Sequence, residues 1–387
     1  MTGPQGVLPE RSADGFAGEA CAAQSDGPAA RTGPVRESTL GLDRWRLRLS
    51  GPGDLVADVL DVLAPPCAVN AAHIGHEGYG WTVRAEYDTA GFLPSTRDAA
   101  ALFDDLPVLT VSSTARLAIR HAADGRQHLV ASYRPGSPVA ALEVIAAERT
   151  TRVVVPAEGP GRRWPRWLAQ LFFASRMLGW WRLLHASAVA VNGRAVLFVA
   201  ASGGGKSTLA HRACAELGAV FMGDDLTMIG PGGLVAGWPT RAAVPLALAR
   251  TGDGRPLRQG TRARRVYTAE EHRRTVSYAP PAPIGLVVHV VSGCDGGRPV
   301  VGAALPRADL ATVAEHALAS PAQQLYSTDL LGLTGGPPHI RMAWPDDDWA
   351  RRLADAAGVR LSVADLPALA HLPVWPVLEP WLAWSRS

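Results

Sequence analysis

The chain has 387 residues, 47% of them hydrophobic, which is enough to bury two cores. Its formal net charge is only +3 and its arginines are dispersed, so no basic stripe for nucleic acid is present. The four cysteines, at positions 21, 67, 214 and 294, have neither metal-ligand nor disulfide-framework spacing, which points to a reduced, cytoplasmic setting.

Residues 1–38 are rich in Gly, Pro, Ala and Ser without periodicity and read as a disordered leader lacking a signal-peptide apolar core. Residues 39–155 carry short alternating runs (RWRLRLS, VLTVSST, ARLAIRHAADGRQHLVASYR, TRVVVP) and one helical run, DLVADVLDVLA. That pattern predicts a small α/β domain rich in antiparallel strands, with a hairpin tip at Ala-Asp-Gly. His73 and His76 have no further ligands in sequence and read as part of a surface loop. Residues 164–184 (WPRWLAQLFFASRMLGWWRLL) repeat apolar side chains at intervals of three and four, the pattern of one helical face. Interrupting arginines exclude a membrane span. The helix reads as core joining two domains; the alternative is a basic amphipathic helix on a membrane or a partner peptide.

The next segment concentrates the chemistry. Residues 183–200 (LLHASAVAVNGRAVLFVA) read as strand, Asn-Gly turn and buried strand. A small-residue loop and a helix follow, with Ser202, Gly203, Gly204, Gly205, Lys206, Ser207 and Thr208 at the junction. Backbone N–H groups and a positive helix end therefore converge where a phosphate can sit. Lys206 is the only lysine in the chain; every other strongly basic residue is arginine. A slim ammonium reaches between phosphates where a planar guanidinium does not, so the exception marks a nucleotide-binding loop. Ala200 stands where the full G-x-x-x-x-G-K-[ST] pattern has its first glycine. The apolar run after the helix ends in Asp224 and Asp225, carboxylates at a strand's C-terminal end that can hold Mg²⁺ or take a proton.

His185, the loop from Gly203 to Ser207 and the aspartate pair, in that order and spacing, resemble the HPr kinase/phosphorylase family of P-loop serine kinases. The resemblance covers residues 183–300. It implies an α/β, P-loop kinase-like domain over 156–387 with a C-terminal helical extension, using ATP and Mg²⁺. By it Lys206 and the loop amides hold phosphate, Ser207 and Asp225 serve the metal, Asp224 is the catalytic base, and His185 pairs with Asp224. The family's later glycine-rich, glutamate-containing signature is not recognisable in LVAGWPTRAAVPLAL, and residues 39–155 have no likeness to the family's N-terminal partner. The expectation is a kinase with its own acceptor, a Ser/Thr hydroxyl of a peptide or protein, and a homo-oligomer is compatible with the resemblance. An ATP hydrolase and a nucleotide-gated peptide-binding module remain open alternatives.

Beyond the aspartates, Arg241 is a candidate contact for phosphate or an acidic peptide. Residues 250–274, rich in arginine, read as a mobile loop or lid. PIGLVVHVV (283–291) reads as a further buried strand, Asp346 to Asp348 as the acidic first turn of a helix, and the remainder as helices alternating with loops.

Overall fold

A computed structural model describes residues 34–64, 66–70, 80–89, 108–112, 115–121, 126–132, 140–177, 181–259, 262–293, 298–318 and 355–386, with single positions at 93, 101 and 353. These residues form a mixed α/β protein of three sheets and six α-helices. His73, His76, Asp346 to Asp348, Cys21, Cys294 and the Ala-Asp-Gly tip lie outside the described residues, as does most of the expected leader.

The first sheet has nine strands: β1 (Val35–Leu42), β2 (Trp45–Pro52), β3 (Ala68–Val69), β4 (Gly80–Tyr87), β5 (Val108–Ser112), β6 (Ala115–His121), β7 (Gln127–Ser132), β8 (Ala140–Ile145) and β9 (Thr150–Val155). Their spatial order is β3, β1, β2, β4, β9, β8, β7, β6, β5, and the pairs β2/β4 and β4/β9 are parallel. On β2, Trp45, Leu47 and Leu49 point inward, the two-residue period of a half-buried strand. β1 starts at Val35, inside the stretch expected to be leader, because its full length pairs with β2. β6 and β7 pair from Arg116↔Ser132 to His121↔Gln127, the hairpin the alternating runs predict.

Helices α1 (Gly53–Leu63) and α2 (Trp164–Met177) pack on this sheet. Eleven of the fourteen residues of α2 are buried, so α2 is core and not a surface helix. It ends at Met177, short of the predicted Leu184, and Arg182–Leu184 instead pair as a strand. The core containing α2 also takes in Leu183, Leu226, Met228, Ala236 and Trp238 from the second sheet. One continuous apolar cluster therefore joins the two sheets. Gln170 of α2 adds a buried hydrogen bond across the junction, Nε2 donating to the Pro239 carbonyl at 2.7 Å.

The second sheet contains β10 (Arg182–Leu184), β11 (Ala186–Val191), β12 (Arg194–Val199), β13 (Val220–Gly223), β14 (Thr227–Ile229) and β15 (Leu234–Gly237). A small third sheet of β16 (Ala243–Pro245), β17 (Arg255–Gln259) and β18 (Arg262–Val266) follows in the chain. The second sheet is then completed by β19 (Ala282–Ser292), β20 (Val300–Ala304) and β21 (Ala357–Val363). Helix α3 (Lys206–Leu217) follows β12 and packs against β11 and β16. The remaining helices are α4 (Ala269–Arg273), α5 (Arg307–Leu318) and α6 (Val374–Leu378).

Most of residues 250–274 are therefore ordered secondary structure and not a loop. The arginine-rich run is a two-stranded hairpin paired to β16, and a Thr268/Glu271 capping box starts α4.

The C-terminal segment is fastened to α3 by one arginine. Arg212 is almost fully buried; its Nη1 donates to the carbonyls of Leu369 (2.6 Å) and Leu372 (2.7 Å), while Nε and Nη2 clasp the Glu216 carboxylate at 2.6 and 2.7 Å. Trp375 Nε1 donates to the same carboxylate at 2.7 Å, and its ring lies under the guanidinium. Arg212→Met keeps the stem but strands two carbonyls and a carboxylate, so we expect a loss of about 3 kcal/mol, read as a lower midpoint in urea. An unchanged midpoint would show that the C-terminal segment holds on without this contact.

Candidate functional site

Three strand ends meet at one edge of the second sheet. β11 and β12 are antiparallel with Ala186 opposite Val199, and the turn between them, Asn192-Gly193, has both φ values positive, 45° and 76°. β13 runs antiparallel to β11 with Gly223 opposite Ala188. The start of β11, the end of β12 and the end of β13 therefore coincide. This brings His185 and Ser187, the loop after Val199, and Asp224 with Asp225 to the same place.

The loop from Ala200 to Gly205 turns back onto α3. Gly203 and Gly205 have φ values of 74° and 91°, the left-handed region that glycine occupies without strain. A Cβ on Gly204 would lie 2.6 Å from the Cβ of Ala200. Ala200 therefore fits in place of the pattern's first glycine because residue 204 has no side chain. A Cβ on Gly205 would run into the side chain of Leu369, which covers the loop from the C-terminal segment. Gly205 is the N-cap of helix α3, and no side chain caps the helix's first amides. Its N–H groups and positive end face the loop, which suits an anion such as a nucleotide phosphate. Lys206 is buried, and its Nζ donates to the carbonyls of Ala200 (3.0 Å) and Ala201 (3.3 Å), which tether the ammonium across the loop. Ser207 is buried on the first turn, Thr208 is half-buried, and Ser202 is exposed at the loop's outer side.

The aspartates divide differently from the expectation. His185 Nε2 lies 3.2 Å from Oδ1 of Asp225 and not against Asp224. Asp224 is 3% exposed; its Oδ1 accepts from Ser187 Oγ at 2.7 Å and from the Asp225 amide at 2.9 Å, and its carbonyl accepts from Thr240 Oγ1 at 2.8 Å. Asp225 keeps about half its side-chain surface accessible (49%) and has φ 65°, left-handed backbone that aspartate tolerates. That backbone flip turns consecutive carboxylates apart, Asp224 inward to Ser187 and Asp225 out to His185. Burial pushes the Asp225 carboxyl up, but the hydrogen bond and charge of His185, with the charges of Lys206 and Arg264, outweigh it and hold the group below the ordinary carboxylate range.

A buried imidazole pair lies behind the loop, and the residue patterns gave no hint of it. His211 Nδ1 is 2.7 Å from the Ser207 carbonyl, His211 Nε2 is 3.0 Å from His272 Nε2, and His272 Nδ1 is 2.6 Å from the Tyr278 hydroxyl. With both rings neutral, one proton assignment satisfies every contact: Tyr278 O–H donates to His272, His272 Nε2–H to His211, and His211 Nδ1–H to the Ser207 carbonyl. Phe221 packs edge-on against His272 and Tyr278. His211 stands one turn beyond Ser207 on the same helix, whereas His272 comes from α4, on a distant part of the chain. Arg241, a candidate anion contact, lies within electrostatic reach of Asp61 on α1.

Neither a family model nor a curated protein matches the sequence. Among solved structures, the Hpr(Ser) kinase/phosphatase from Coxiella burnetii matches at 11% identity with a TM-score of 0.25, covering 53% of this chain and 90% of its own. That similarity is too low to place any residue, and the site stands on the distances above. No helix among the described residues is long and apolar enough to cross a membrane.

Burial, followed by the charge of His211, lowers His272 from the ordinary 6.5 to about 3; burial also lowers His211, against the pull of Asp224 and the Ser207 carbonyl. Below the ordinary histidine value the unfolded chain thus binds protons that the native state refuses. The pair costs nothing above about pH 6.5, and stability falls as pH drops from there towards about 3. His272→Gln, which cannot titrate, should show a shallower loss of unfolding free energy between pH 6.5 and 4 than the parent. Equal slopes would mean that this pair does not set acid sensitivity.

Proposed function

We propose that the protein is an ATP- and Mg²⁺-dependent kinase of P-loop type, transferring the γ-phosphate to a hydroxyl of a peptide or protein. The observation that carries this reading is the convergence of the lysine loop and the His185–Asp225 pair on one strand edge. Phosphoryl transfer asks the protein mainly to position groups and neutralise charge. In this reading the α3 amides and Lys206 bind the phosphates. Ser207 and the accessible Asp225 would hold Mg²⁺, which when bound would supply charge neutralisation for the phosphate oxygens. Asp225 orients the acceptor hydroxyl and accepts its proton, with His185 fixing the carboxylate's rotamer. The lowered proton affinity of Asp225 suits a loose transition state, in which the proton leaves late and a strong base is not needed. Asp224, inward and bonded to Ser187 and the Asp225 amide, sets the aspartate turn, so the catalytic role expected for Asp224 passes to Asp225.

The test is incubation of the full chain with γ-labelled ATP, Mg²⁺ and candidate acceptor peptides, read by intact mass. Lys206→Ala should lose nucleotide binding and turnover together. Asp225→Asn should lose turnover by about 10²–10⁴-fold while keeping nucleotide binding and thermal midpoint. Asp224→Asn should lower the midpoint as well, because its buried carboxylate accepts two hydrogen bonds. Full turnover in Asp225→Asn would remove that residue from the mechanism. ATP consumption by the parent without a labelled acceptor would favour hydrolysis.

A further inference from the structure

We propose that Thr240 is a positioning residue for Asp225: its hydroxyl holds the peptide joining the two aspartates in the orientation that sends the Asp225 carboxylate to His185. The functional half of this inference rests on the kinase reading, and the structural half stands on distances alone.

The aspartates form a tighter turn than their spacing suggests. The Leu226 amide donates to the Asp224 carbonyl at 2.7 Å, and the residue between them, Asp225, has φ 65°. A hydrogen bond of that span around a residue at positive φ is a γ-turn of the rarer, strained kind. Such backbone persists where the surroundings over-determine it. Here both edges of the Asp224–Asp225 peptide are gripped. On the amide side, the Asp225 N–H donates to Asp224 Oδ1 at 2.9 Å, and Ser187 Oγ donates to the same oxygen at 2.7 Å. On the carbonyl side, Thr240 Oγ1 donates to the Asp224 oxygen at 2.8 Å, sharing it with the Leu226 amide. Ser187 and Thr240 are the anchors from outside the turn, one from β11 and one from the segment after β15.

Strand pairing brings that segment to the turn. β14 and β15 are antiparallel with Thr227 opposite Gly237, and the contact continues past the ladder, where the Trp238 amide donates to the Leu226 carbonyl at 3.3 Å. At Gly237 the backbone also comes up against β13: a Cβ there would run into the Met222 carbonyl oxygen, and a Cβ on Gly223 would lie 3.0 Å from the Gly237 Cα. Two glycines thus let the chain close in, so that Thr240 reaches the turn. A flip of the Asp224–Asp225 peptide would change ψ of Asp224 and φ of Asp225 together. It would return Asp225 to the negative φ that ordinary residues prefer and swing its side chain off His185. The Thr240 hydroxyl opposes the flip, because the flip removes its acceptor and that of the Leu226 amide at once. Asp225, half-exposed and 3.2 Å from His185, is the carboxylate that the kinase reading assigns to Mg²⁺ and the acceptor hydroxyl.

Thr240→Val keeps the shape and removes the donor, while Thr240→Ser keeps the donor. Hydrogen exchange of the full chain, read by mass on the peptide carrying Asp225 and Leu226, tests the turn without any nucleotide. Thr240→Val should exchange there about tenfold faster than the parent and Thr240→Ser close to the parent, with thermal midpoints within about 4 °C of each other. ADP binding by calorimetry, with and without Mg²⁺, tests the site. Without metal, ADP affinity should stay within about threefold of the parent in both variants. The strengthening that Mg²⁺ brings to the parent should fall about tenfold in Thr240→Val and survive in Thr240→Ser. Parent-like exchange and Mg²⁺ response in Thr240→Val would overturn the role of Thr240. An equal loss in Thr240→Ser would overturn it too, assigning the effect to packing of the methyl group. Failure of the parent to bind ADP, or binding unaffected by Lys206→Ala, would instead overturn the kinase reading, and the exchange result would still decide whether Thr240 holds the turn.

Discussion

The register between β11 and β12 is the constraint on which the site depends. Their ladder runs unbroken from Ala186↔Val199 to Val191↔Arg194, closed by a turn whose two residues both sit at positive φ. A slip of one residue would turn every side chain to the opposite face and carry His185 and Ser187 away from the phosphate loop. β13 adds to β11 on the other side, with a register shift between Ala188 and Val189, and ends where Asp224 can accept from Ser187. One hairpin thus positions the histidine, the lysine loop and the aspartates, although almost forty residues separate Ser187 from Asp224.

Charge at this edge is balanced by pairing and not by solvent alone. Lys206 is buried against two carbonyls, Asp225 has His185, and Asp224 has a hydroxyl and an amide. The imidazoles of His211 and His272 are held neutral, which ties the Ser207 carbonyl to α4 without adding a second charge beside Lys206. A charged ring there would repel the ammonium through low-dielectric surroundings. The loop is thus braced from two sides, by α4 through this relay and by the C-terminal segment through Leu369 and Arg212.

The two large sheets share one core through α2, and the site lies close to that junction. Pro66, from the first sheet's side, lines the same small cavity as Asp224, Trp238, Thr240 and Tyr278. Burial pushes the Asp61 carboxyl of α1 above the ordinary carboxylate range, with the charge of Arg241 opposing it. The first sheet therefore borders the buried side of the aspartate turn and does not hang from it as a separate appendage.

The sequence by itself determined the elements whose signal is local. The lone lysine in a small-residue loop after an apolar run, the Asn-Gly turn, and the paired aspartates at the end of a strand all rest on neighbours a few residues apart, where backbone conformation and spacing decide. The nine-stranded sheet was legible as alternation but not as an order, because β2, β4 and β9 pair in parallel across long connections that no local pattern encodes. Charge count misread 250–274 as a loop, since strand pairing with β16 outweighs surface polarity there. Which aspartate meets His185 was settled by the left-handed backbone at Asp225, a single φ angle that spacing cannot supply. The relay from Tyr278 through His272 to Ser207 was decided only when sheet and helix packed together: residues scattered along the chain became neighbours through tertiary burial, which leaves no periodic trace in the sequence.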